Sequence, residues 1–248
     1  MSDELWETYA QTDPYWSVLT EPQYKGEPGP DELRVFFARG EKYVRRVSAA
    51  FDRYFDRQIS SADQALDFGS GVGRLLLPMA KKCGHVIGVD ISPTMRRIAR
   101  ENAKRIKIFN FMCISNDQID EVEDSTIDWL NSFITFQHID TNIGYKLFDK
   151  LLKKVSPNGV VSMHFTLFKD TRKFNYIENN TKYFSSDQDG IRKIYAPNDM
   201  YDHDQIMMND YDATKIIMIF NQNGFLTMVA EMEDQDGMHG AIFYAIKS

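Results

Sequence analysis

The apolar positions of this chain change their period several times, and each change marks an element. Leu33, Phe36, Phe37, Val44, Val47, Phe51 and Phe55 recur at near-helical spacing. They predict a helix over 31–55, with Asp31 as its cap and Gly40 as a possible interruption. Short continuous apolar runs at 65–68, 85–89, 106–112 and 160–165 read instead as buried strands. Between them lie amphipathic stretches: one that enters at Leu75 and runs to about Lys82, one over 93–104 with Met95, Ile98 and Ala99 on one face, and one over 144–155 with Leu147, Phe148, Leu151 and Leu152. The turn Ser156-Pro157-Asn158-Gly159 separates the last of these from its strand. Such alternation of strand and helix predicts an α/β chain built on a parallel sheet.

Two stretches depart from that alternation. Residues 1–61 are aromatic-rich, with Leu5, Trp6, Tyr9, Tyr15, Trp16 and Leu19 ahead of a turn-rich segment that ends at Pro30. Residues 167–207 are polar and aromatic, and the two alternating runs around Asp187-Gln188-Asp189-Gly190 predict a hairpin. Beyond this insertion, Ile216, Ile217, Ile219 and Phe220 predict a helix opened by 209–212, with Asp210 as its cap or first-turn acid. The runs 226–232 and 241–246 supply two last strands, for seven in all once the strand near Asp128 is counted.

The chemistry concentrates at Asp67-Phe68-Gly69-Ser70-Gly71-Val72-Gly73-Arg74. Glycines at 69, 71 and 73 permit positive φ angles and leave bare backbone against which a flat ligand can lie, and the helix beyond them offers free N–H groups at its start. A dinucleotide site wants G-x-G-x-x-G to seat a pyrophosphate on that helix. Here Arg74 comes directly after the third glycine, so the pattern is G-x-G-x-G, and Asp67 repels phosphate while suiting a ligand that carries an ammonium and a sulfonium. Asp90 closes the second strand 21 positions beyond Gly69, where a neighbouring parallel strand places an acceptor for ribose hydroxyls. A capping role at the helix opened by Ser92-Pro93 is the alternative for Asp90.

These motifs resemble those of the class I S-adenosylmethionine-dependent methyltransferases of small-molecule type. The likeness covers roughly 62–166 and 209–247. It implies a Rossmann-like seven-stranded sheet, mostly parallel with an antiparallel terminal strand and helices on both faces. It also implies S-adenosyl-L-methionine as cofactor, with Asp67, Gly69, Ser70, Gly71, Gly73, Asp90, Ile91 and Met95 around it. In the loop after strand three, the family's acid for the adenine amino group falls on Asp117, with Asn116 as second choice and turn capping the competing role for both. The stretch 125–139 resembles the family's fourth motif, which would put Asn131, Ser132 and Phe133 against the methionine part of the cofactor. Trp129 departs from the smaller aliphatic residue usual there.

His138, just beyond that strand, is the candidate base, since an imidazole titrating near pH 6.5 can take a proton from an acceptor hydroxyl. A histidine that merely bonds the loop backbone is the alternative. For acceptor contacts the resemblance points to the segment before the first strand, hence Trp6, Tyr9, Tyr15, Trp16, Phe37 and Gly40, and to Asn209 and Tyr211 at the start of the late helix; plain core packing is the competing role for the aromatics. The expected division is a helical lid at 1–61 and a catalytic domain at 62–248 whose insertion at 167–207 covers the acceptor.

Composition narrows the partners. A net charge of −7 and a pI near 5.3 disfavour nucleic acid, no run approaches a membrane span, and the opening residues lack a secretory signal, so a cytoplasmic protein is expected. Cys83 and Cys113 follow no metal spacing, and neither do the five histidines, so no metal site is expected. The reading is a methyltransferase that acts on a hydroxyl or amine of a small molecule or of a sugar or natural-product intermediate. A protein side chain is the alternative acceptor. A sensor or partner subunit that binds the cofactor without catalysis is the alternative function.

Overall fold

The computed structural model describes residues 3–59, 62–170, 208–235 and 237–248, together with the backbone of 182–186 and 191–195. Two helices, α1 (Asp3–Thr12) and α2 (Pro30–Phe55), precede the first strand. Then β1 (Gln64–Phe68), α3 (Leu76–Ala80), β2 (His85–Val89), α4 (Pro93–Arg105), β3 (Phe111–Ile114), β4 (Ile127–Ser132), α5 (Thr141–Lys154) and β5 (Val155–Lys169) alternate as the pattern predicts. The strands β6 (Lys182–Ser186), β7 (Ile191–Tyr195) and β8 (Met208–Asn209) lie in the insertion, and α6 (Ala213–Gln222), β9 (Thr227–Gln235) and β10 (Met238–Ile246) complete the chain.

The main sheet has seven strands in the order β3-β2-β1-β4-β5-β10-β9. The first five are parallel, and β10 runs antiparallel to both of its neighbours. The chain therefore winds outward from β1 to β3 and returns to β4 on the other side of β1. The carboxyl ends of β1 and β4 part there and open the crevice in which ligands of such sheets bind. The hairpin read around 187–190 is present as the antiparallel pair β6 and β7, to which β8 adds a third strand.

Both faces of the sheet are covered. On one, Phe148 and Leu152 of α5 and Ile216 and Phe220 of α6 pack with Leu66, Leu130, Val161 and Phe243. On the other, Val47 and Phe51 of α2, Leu76 of α3 and Ala99 of α4 pack with Ala65, Val86, Trp129 and Tyr244. Helix α2 is thus a layer of the core, and only α1 and the turns after it are free to reach over the crevice. Trp129 is fully buried, and its indole N–H donates to Ser162 Oγ at 3.0 Å, which satisfies the polar edge of an unusually large side chain at this position.

Several boundaries differ from the sequence reading for local reasons. Gly40 does not interrupt α2; a Cβ at that position would collide with the backbone carbonyl of Arg74, so its role is close approach. The cap of α2 is Gly29 with Pro30 in the first position, and Asp31 sits in the first turn. Helix α4 ends in a turn in which Lys107 takes φ 59°, so β3 starts at Phe111 and not at Ile106. The turn at 156–159 is absorbed into β5 as a register shift between Val155 and Val160 opposite β4. Asp212, not Asp210, caps α6 by accepting from Thr214 N at 2.7 Å, while Asp210 forms a buried ion pair with Lys169.

Candidate functional site

The loop after β1 is set by its glycines. Gly69, Gly71 and Gly73 have φ of +79°, +52° and +91°, a run that side chains rarely tolerate. The N–H groups of Gly69 and Ser70 both donate to Val89 O, at 2.8 and 3.0 Å, which ties the loop to the end of β2. A Cβ on Gly69 would strike Thr135, so the loop and the segment after β4 lie backbone to side chain. In that segment Ile134 takes φ +61°, a strained conformation for a β-branched residue, of the kind that persists where surrounding structure over-determines it.

A cavity of about 250 Å³ opens over this loop. Gly69, Ser70 and Gly71 form its floor, Asp90, Ile91 and Met95 one wall, and Asn116 its far edge. Phe133 and His138 line the opposite wall, and Trp6 of α1 closes over it with its ring 5.2 Å from that of His138, edge to face. Asp90 accepts from Gly71 N at 2.8 Å through one oxygen and from Ser92 N at 2.9 Å through the other. Burial pushes its carboxyl above the ordinary range, against those two amides. Each oxygen keeps acceptor capacity beyond its one backbone bond.

Other predicted residues stand behind the wall rather than in it. Asp67 is 1 % exposed and accepts from Asn131 Nδ2 at 2.8 Å, while Asn131 Oδ1 accepts from Ser162 Oγ at 2.8 Å and from Tyr43 OH at 3.2 Å. The side chains of Asp67 and Asn131 therefore form a polar network inside the sheet. Ser132, also fully buried, donates to Phe68 O at 2.9 Å. Strand position explains these placements, because Asn131 and Ser132 still lie within β4 and Phe133 is the first residue past its end. Gly73 packs on Leu77 and Ala99 and serves the helix, not the cavity.

Asp117, the first choice for the adenine position, turns away. It accepts from Ser115 Oγ at the start of a 3-10 turn whose capping box pairs Ser115 with Gln118, and Asn116 faces the cavity in its place. Among the acceptor candidates only Trp6 lines the cavity. Tyr9, Trp16 and Phe37 pack in or against the small core under the N-terminal segment, and Tyr15 OH donates to Asn102 Oδ1 at 3.2 Å. Asn209 Nδ2 donates to Gln137 O at 3.0 Å and Tyr211 OH to Ile139 O at 3.1 Å, so both brace the turn that carries His138.

Sequence reasoning missed three contributors. Arg74 lines the cavity at 5 % exposure; its Nε has no hydrogen-bond partner among the described residues, and its guanidinium lies 5.8 Å from the Phe133 ring. Burial pulls it down to about 10 against the attraction of Asp67, so it remains a cation at neutral pH. The signal was Arg74 itself, read only as a break in the dinucleotide pattern. Glu7 of α1 accepts from Ser92 Oγ at 2.5 Å, Thr94 Oγ1 at 2.6 Å and Thr94 N at 3.2 Å, latching α1 to the start of α4 beside Asp90. Burial opposes ionisation of Glu7, but the bonds from Ser92, Thr94 and Gln11 outweigh it and hold its carboxyl down at about 2. Ile139, Ile143 and Leu147 add an apolar flank from the start of α5.

Comparison with known proteins falls on the same stretch. Residues 66–163 match the family model described as a methyltransferase domain. The chain is 26 % identical to phosphoethanolamine N-methyltransferase 1 of Triticum aestivum over 111 residues, which cover 42 % of this chain and 21 % of that protein. It is 25 % identical to the 23S rRNA (uracil(1939)-C(5))-methyltransferase RlmD of Francisella tularensis over 152 residues, covering 51 % of this chain and 32 % of that one. It thus spans a fifth to a third of the length of these curated relatives. In fold it is similar to magnesium protoporphyrin IX methyltransferase (ChlM) from Synechocystis, solved with bound SAH, with a TM-score of 0.66 at 16 % identity and full coverage of both chains. No helix among the described residues is long and apolar enough to cross a membrane. With the glycine loop, the acid closing β2 and the sheet order all inside or around the matched stretch, residues 66–163 form a methyltransferase domain, carried on the fold of the S-adenosylmethionine-dependent methyltransferases to which the chain is similar.

Proposed function

We propose that the cavity over the glycine loop binds S-adenosylmethionine and that the protein transfers its methyl group to a hydroxyl or amine of a small molecule. The observation that carries this reading is the pairing, across one cavity, of a bare glycine floor with Asp90 on one side and the unpartnered guanidinium Nε of Arg74 on the other. The donor set fits the group. Asp90 has acceptor capacity left for the two ribose hydroxyls, Asn116 for the adenine amino group, and Ile91 and Met95 offer an apolar wall for the ring. Arg74 supplies the charge that a methionine carboxylate needs in a buried place.

When bound, the cofactor supplies a methyl group already activated by the sulfonium charge. What this chain has to do is hold the acceptor atom in line and keep water out, and such positioning is worth effective molarities on the order of 10⁵–10⁸ M. Trp6 and the α1 segment close the cavity, and Glu7 fixes that closure. His138 lines the same wall and takes the proton from an acceptor hydroxyl, a contribution of roughly 10²–10⁴-fold. Asn209 and Tyr211 act through the His138 turn as positioning residues, whereas most of the insertion at 167–207, expected to cover the acceptor, lies outside the described residues.

A small-molecule acceptor is favoured over RNA by the charge of −7, which opposes phosphate contacts. The test is turnover: purified protein incubated with S-adenosylmethionine and a panel of hydroxyl and amine acceptors is expected to yield S-adenosylhomocysteine. Tight cofactor binding without any product would favour a sensor or partner subunit, and turnover on ribosomal RNA alone would reverse the assignment of acceptor.

A further inference from the structure

A second buried polar cluster lies one ring behind the cavity wall. His164 on β5 is 1 % exposed, and neither of its ring nitrogens has a hydrogen-bond partner among the described residues. A neutral imidazole always carries one donor and one acceptor, and a buried ring with both unmade is destabilising until a partner reaches it. Across from it stands Glu233 on β9, with Oε2 4.0 Å from His164 Nε2 and itself without a partner. The sheet is shaped to hold the imidazole there. The pairing of β10 with β5 shifts register between His239 and Gly240, and a Cβ on Gly240 would sit 2.6 Å from His164 Nε2. On its other side the His164 ring meets Phe133 at 5.2 Å, and Phe133 in turn lies 4.3 Å from Tyr43. Phe133 is therefore the partition between this cluster and the cavity it lines.

The charges at this end do not balance. Arg46 of α2 binds Glu233 Oε1 and donates to Glu231 Oε2 at 2.7 Å, while Tyr54 and Tyr244 also donate to Glu231. One guanidinium thus serves two carboxylates. His164 does not supply the missing positive charge, because burial, with Arg46 and His138 nearby, pulls its imidazole down to about 4. An ammonium would supply it. A nitrogen about 2.8 Å from each of two atoms 4.0 Å apart lies some 2 Å off the line that joins them, an ordinary geometry for a shared donor. The rings of Phe133 and Tyr43 add faces of the kind that attract cations.

We infer that His164 and Glu233 form an acceptor subsite for a protonated amino group, reached past Phe133, so that the molecule methylated by this protein carries a basic amine. The inference rests on the methyltransferase reading but is tested apart from it. Benzylamine and benzyl alcohol, alike in shape and different in charge, are titrated calorimetrically into the protein with and without saturating S-adenosylhomocysteine. Benzylamine is expected to bind at least tenfold more tightly than the alcohol. The Glu233→Gln variant, which keeps the shape and an oxygen for Arg46, is expected to lose that preference with its affinity for S-adenosylhomocysteine unchanged. His164→Asn is expected to weaken benzylamine in the same way, which guards against misfolding of a single variant. Equal binding of the two probes, no binding of either, or an amine preference retained in both variants would overturn the subsite. Loss of S-adenosylhomocysteine binding by the unaltered protein would instead count against the methyltransferase reading.

Discussion

Asp67 carries a stability signature that can be worked out from its surroundings. Burial raises its carboxyl from 3.8 to about 6, against the bond from Asn131 and the attraction of Arg74 and with the help of repulsion from Asp90. A raised acid favours the folded state while it is protonated. That contribution is complete below pH 3.8 and is lost as the pH climbs from there through about 6. At about 1.4 kcal/mol per pKa unit, the ionisation of Asp67 costs the fold roughly 3 kcal/mol by pH 7. Asp67→Asn keeps the shape and the oxygen that Asn131 needs but does not titrate. Arg74 stays charged across the window, so whatever the substitution costs that guanidinium is a constant offset. Urea unfolding of both proteins between pH 4 and pH 7.5 should therefore show the variant gaining on the parent by about 2.5 kcal/mol, the part of that cost that falls above pH 4, with nearly all of the gain between pH 4 and 6.5. Two stability curves that run parallel over that range would refute the assignment of a buried, proton-holding Asp67.

Three further outcomes test the site itself. Asp90→Ala should weaken cofactor affinity by at least tenfold with the fold intact, as read by calorimetry and circular dichroism; unchanged affinity would remove Asp90 from the site. His138→Ala should bind cofactor normally and turn over an oxygen acceptor about 10²–10⁴-fold more slowly, whereas wild-type rates would end its role as a base. Glu7→Ala removes three bonds between α1 and α4 and should speed cofactor release by an order of magnitude or more in stopped-flow traces, with little change in thermal stability because the main core lies elsewhere. Release at the parent rate would show that α1 does not gate the cavity.

What the sequence disclosed and what it withheld separate along a physical line. The strand and helix order, the positive φ of the glycine loop and the reach of Asp90 and Met95 into the cavity all come from local rules: periodicity, the freedom of glycine, and the fixed distance from one parallel strand to the next. Where a neighbouring side chain decided the outcome, local rules gave the wrong residue. Ser115 captures Asp117 and hands the cavity edge to Asn116, and Asn131 is taken up by Asp67, Ser162 and Tyr43, contacts that come from three other elements. Tyr9, Tyr15, Trp16 and Phe37 could not be told from Trp6 by type or spacing, because the packing of the small N-terminal core, together with the bonds from Glu7 to Ser92 and Thr94, decides which aromatic meets the cavity. Arg74 and His164 were hidden for a related reason. A buried side chain without a partner looks ordinary in sequence, and it becomes a signal only when the fold has closed around it and left its hydrogen bonds unmade. The informative residues of this site are thus the ones whose chemistry the protein alone does not complete, and the cofactor carboxylate and the acceptor amine are the groups that would complete it.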